Sequence, residues 1–197
     1  MAAHATIPNT YGARKRLWIN SSLWLSINER PYCALAIQNL GYAERLLLEM
    51  ELRLAAIAMN PDAQKERNRL LPECSAHSAL WILGLYEVLR VLRAAESPRF
   101  DVLDDLFWKL EILRMPLAKH EQKSLRYGAP VPLHYPTGVW EPERGRVGWS
   151  IVDPRTQTVR AFTRTELADE FLAVAAVEPE HPPPFPIGGS LGMPDDS

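Results

Sequence analysis

Apolar residues fall on helical spacing over most of this chain. Between Pro31 and Met59, Ala36, Leu40, Ala43, Leu47, Met50, Leu54 and Ile57 recur at alternating intervals of four and three, which is a heptad seam. Leu46, Leu48 and Leu52 widen that face beyond a coiled-coil stripe and predict a helix in a globular bundle. Pro31 suits a first turn, where its missing N–H has no helical partner. Asn60-Pro61-Asp62 stops the helix, and Gln64 to Arg69 reads as a polar, charged connection. A second helix is predicted from Pro72 to about Ala95. It is apolar nearly all round, through Leu80, Trp81, Ile82, Leu83, Leu85, Val88, Leu89, Val91 and Leu92, so it belongs at the bundle centre. Gly84 inside it costs about 1 kcal/mol relative to Ala, and a closely packed neighbour would explain it. Ser97-Pro98 opens a third helix with a stripe of Leu103, Leu106, Phe107, Leu110 and Leu113. Asp101, Asp104 and Asp105 lie at its positive end. Pro116 is expected to end or kink it near Arg114 or Met115, with a short fourth helix over 117–126.

The flanking segments read differently. Leu17-Trp18-Ile19 and Leu23 to Ile27 surround Asn20-Ser21-Ser22, which suits either a hairpin or one irregular helix. Gly128 to Pro142 holds four prolines and reads as an irregular loop. Val147, Trp149 and Ile151 alternate on a strand over 146–152. Asp153-Pro154-Arg155-Thr156 is a turn, and Thr158 to Phe162 returns as a second strand. Thr163-Arg164-Thr165-Glu166 fits a capping box before a last helix carrying Leu167, Phe171 and Val174 and ending near Val177. A lone hairpin is marginal in water, so these strands must pack on the bundle, on the N-terminal segment or on another chain. From Glu178 onward the Pro- and Gly-rich sequence reads as a disordered tail. The expected fold is mainly α. It is an antiparallel bundle of three long helices plus a short fourth, with a C-terminal β-hairpin and final helix. It forms one domain over 1–177, with 31–126 as its bundle core.

Composition narrows the function classes. At 197 residues and 47% hydrophobic, the chain suits one domain with a sizeable core. A formal net charge of −2 makes no whole-protein case for a nucleic-acid or membrane surface. Cys33 and Cys74 match no disulfide framework or zinc spacing and are expected to be buried, reduced thiols. The first residues lack a secretory pattern, and no apolar run approaches the ~20 residues of a membrane span. The expectation is a cytoplasmic protein with no membrane partner.

Several motifs are incomplete. Gly188-Gly189-Ser190-Leu191-Gly192 spells G-x-S-x-G but has no strand before it or helix after it. His120-Glu121-Gln122-Lys123-Ser124 is half of H-E-x-x-H, with Ser124 where the second ligand belongs. Cys74 and His77 could supply two metal ligands, but no second pair is evident. No metal and no cofactor are expected. His77, on an apolar helix, reads as a core or semi-buried histidine with a hydrogen-bond partner.

The remaining candidate chemistry is Arg114-Met115-Pro116-Leu117-Ala118-Lys119-His120-Glu121. An arginine can clamp a phosphate, and a histidine can shuttle a proton near neutral pH. Together they suit phosphodiester cleavage, with His120 as acid or base and Arg114 stabilising developing charge. Lys119, Glu121 and His77 are auxiliary candidates. The plain alternative is a charge cluster in which Arg114 complements the negative end of its helix. The helical layout and the five residues between Arg114 and His120 resemble the HEPN superfamily of helical bundles over roughly 31–126. That resemblance implies a dimer with facing Arg–His pairs and, in active members, metal-independent RNA cleavage. The leading reading from the residues is a non-catalytic binding or assembly protein. It is expected to form a homo-oligomer and to have a possible protein partner. The HEPN-like RNA-binding protein or ribonuclease is the rival. A small-ligand pocket between bundle and hairpin is a third reading.

Overall fold

The computed structural model of the protein describes residues 7, 10–26, 31–95, 100–119 and 136–175. The N-terminal segment is one helix, α1 (Tyr11–Ser26). Its inward face carries Arg14, Trp18, Ser21, Ser22 and Leu25, at helical spacing but of mixed polarity. The Ser21 hydroxyl donates to the Leu17 carbonyl at 2.7 Å, and that of Ser22 to the Ile19 carbonyl at 2.7 Å. Both hydroxyls are thereby satisfied inside the helix.

Helix α2 (Pro31–Ile57) ends where the Asn60-Pro61 signal places the stop. Its core-facing stripe is not the whole expected seam. Leu40, Leu47 and Leu54 do face the core. The positions that alternate with them there are Ile37, Glu44 and Glu51, all buried. Ala36, Met50 and Ile57 are half-buried beside that stripe, and Ala43 is exposed. Two glutamates thus occupy heptad core positions that apolar patterning assigns elsewhere.

Helix α3 (Gln64–Ala94) begins eight residues before Pro72, so the polar stretch 64–69 is helix and not a connection. Local pairing explains the correction. Gln64 Nε2 donates to Asn68 Oδ1 at 2.5 Å, Arg69 pairs with Glu73 at 2.9 Å, and Arg53 of α2 pairs with Glu66. Arg67 donates to the carbonyl of Ala58 at 2.8 Å and covers the exposed end of α2. Pro72 sits inside the helix. Helix α3 is central as expected, touching α2, α4 and the sheet. Its apolar girdle is not fully covered, however, because Leu80 stays exposed.

Helix α4 (Asp104–Lys119) follows a 3-10 turn over Asp101–Leu103 and runs through Pro116 without a break. The expected stop at Arg114 is therefore overturned. Pro116 lies in the last described turn, where only three helical residues follow it, and it is buried. The loss there is one backbone hydrogen bond. Residues 120–126, Ser97-Pro98 and the tail from Glu178 lie outside the described residues.

The C-terminal unit is an antiparallel sheet of β1 (Thr137–Glu141), β2 (Arg146–Asp153) and β3 (Thr158–Thr163), in that order. The expected hairpin is β2–β3, and 137–141 forms a third strand where an irregular loop was expected. Val139 pairs with Gly148, and Trp149 with Phe162. Val147, Trp149 and Ile151 point together into the core, as their alternation predicts. Gly145 (φ +65°) turns β1 into β2 against α2, where a Cβ would stand 1.8 Å from the Glu51 carbonyl oxygen. Helix α5 (Arg164–Ala175) starts at the expected capping box. The Thr163 N–H donates to Glu166 Oε2 at 2.9 Å, and the Glu166 N–H donates to Thr163 Oγ1 at 3.2 Å. The architecture is mainly α, with five α-helices and this small sheet among the described residues. No described helix is long and apolar enough to cross a membrane.

Candidate functional site

Two features stand out from the fold, one buried and one open. The buried one joins α1, α2 and α5. Glu44 accepts from Arg14 Nε at 3.1 Å and Trp18 Nε1 at 2.6 Å through one oxygen. Through the other it accepts from Arg14 Nη2 at 2.6 Å and Arg164 Nη1 at 3.0 Å. Arg164 also meets Glu51 at 2.7 Å, and Glu51 accepts from the Thr165 hydroxyl at 2.8 Å. Arg14 reaches Asp169 at 2.5 Å on the rim of the cluster. Burial works to lower the Arg14 pKa, but the hydrogen bonds and charges of Glu44 and Asp169 outweigh it and hold the guanidinium above its ordinary value. The four fully buried charges cancel, two against two. Cys74 lies beside Glu51 and Arg164. Burial, reinforced by Glu51, pushes its thiol up to about 11, so it is not a nucleophile at neutral pH. Both cysteines are free and buried, as composition predicts. With its charges paired and enclosed, the cluster is a structural joint.

The open feature is a groove of about 820 Å³ between α2 and α3. Leu40, Leu47, Leu70 and Trp81 form its floor. Trp81 Nε1 donates to the Leu40 carbonyl at 3.0 Å, which leaves the ring to the apolar surface. The α2 wall carries Ala36, Ala43, Leu46 and Met50, and the α3 wall carries His77, Leu80 and Gly84. Leu46 is 56% exposed and Leu80 65%. Glu49, Arg53, Arg69 and Glu73 gather at one end, near the turn that joins the two helices. The floor therefore uses the inner half of the expected heptad seam, and the wall uses its outer half.

Of the residues proposed for chemistry, Arg114 and His77 have described side chains. Arg114 is half-buried, with its guanidinium 4.8 Å above the Tyr86 ring and 3.7 Å from Glu87. Burial first, then Glu111, raises the Tyr86 phenol pKa. His120, Glu121 and the side chain of Lys119 lie outside the described residues, so the Arg114–His120 pairing is not part of the described structure. His77 is exposed and not in the core. It faces the groove from a position nine residues before Tyr86, so it shares no site with Arg114. Trp149 is buried in the sheet and Trp140 half-buried.

Sequence reasoning missed the buried cluster because its members are scattered across 14–169 and single charges on a helix read as solvent-facing. A usable signal was present, since Glu44 and Glu51 are seven residues apart and in register with Leu40, Leu47 and Leu54. The described residues thus form a helical bundle with an appended sheet and an open apolar groove. Comparison with protein-family models, curated proteins and solved structures returns no match.

Proposed function

We propose that this chain is a non-catalytic cytoplasmic binding and assembly protein that associates with itself. The observation that carries this reading is the α2–α3 groove, with Leu46 and Leu80 exposed on its walls. An apolar groove between two helices suits a site covered by another molecule. Its walls are helices with small or aliphatic side chains, which suits docking of helices better than turnover of a small substrate. The HEPN-like ribonuclease is the weaker reading, because Arg114 is engaged by Tyr86 and Glu87. Light scattering coupled to size exclusion tests self-association, and a monomer at every micromolar concentration rejects it. Incubation of the purified protein with RNA in chelator tests the rival. Cleavage that disappears in both Arg114→Ala and His120→Ala would favour the rival.

A further inference from the structure

We draw no further inference here: the strongest candidate, the open apolar groove between α2 and α3, belongs to the site already described, and nothing in the structure shows what covers it, because the charges on its rim are already paired within the chain, Glu49 with Arg45, Arg53 with Glu66 and Arg69 with Glu73.

Discussion

Glu44 holds together three helices through four accepted hydrogen bonds, which uses the full capacity of an ionised carboxylate. Glu44→Gln replaces one acceptor oxygen with an NH₂ that must face a donor already present. Removing one partner from a buried ion cluster costs about 3–5 kcal/mol, because the remaining charges stay desolvated. The variant should therefore lose about 3 kcal/mol in urea unfolding, while Glu73→Gln, an exposed i,i+4 pair, should stay within about 0.5 kcal/mol. Cys74 makes a second prediction at this scale. Its pKa rises from 9.0 to about 11 in the fold, through burial and then Glu51. A group whose folded pKa is raised contributes its full stability below the unfolded value and loses it as pH climbs toward the folded one. Stability should fall between pH 9 and 11, and Cys74→Ala should lessen that fall; an identical pH profile in the variant would refute it. The raised pKa values of Tyr86 and Lys109 act in the same direction.

At the scale of elements, two short sequences do disproportionate structural service. The reciprocal Thr163–Glu166 bonds start α5 just where Arg164 and Thr165 must enter the buried cluster. Thr163→Ala should cost about 1 kcal/mol, a normal value for a lost N-cap. Gly145 matters for a different reason. Its left-handed φ of +65° and its approach to Glu51 and Ala55 of α2 leave no room for a methyl group. Gly145→Ala should cost about 2–4 kcal/mol by combining backbone strain with overpacking. Chemical denaturation read by tryptophan fluorescence measures both. A near-neutral Gly145→Ala would mean that the β1–β2 turn does not rest on α2. Elements were legible where their buried faces are apolar. β2 and the capping box follow the pattern closely, and α2 ends where Asn60-Pro61 signals. Helix α1 was ambiguous with a hairpin because Arg14, Ser21 and Ser22 share its inward face with Trp18 and Leu25. No apolar period could report a face half made of polar groups.

For the whole molecule, α1 and α5 close over the α2–α3 pair from one side. Trp18 stacks on Phe171 with centroids 5.0 Å apart and meets Trp81 edge-on at 5.9 Å. The opposite side of the same helix pair is the open groove. If a second copy closes it, association stabilises the folded chain by mass action. The melting temperature should then rise with protein concentration for the native chain and stay flat for Leu80→Glu. Differential scanning calorimetry over a hundredfold concentration range would show it. A flat native curve would sever the link between the groove and assembly.

The amino-acid order by itself determined the helical class, the extents of α2, β2, β3 and α5, the inward face of β2 and the burial of both cysteines. Each of these depends on local periodicity or on groups within a few residues of one another. Only the tertiary structure decided which half of the α2 seam enters the core, that Glu44 and Glu51 go in with it, and that 137–141 pairs as a strand. It also decided that α4 passes through Pro116 and that His77 faces a groove. For the buried glutamates the physical reason is charge pairing. A charge is admitted to a core only when its counter-charge arrives from a distant segment, as Arg14 and Arg164 arrive at Glu44, and that pairing has no local signature in the chain.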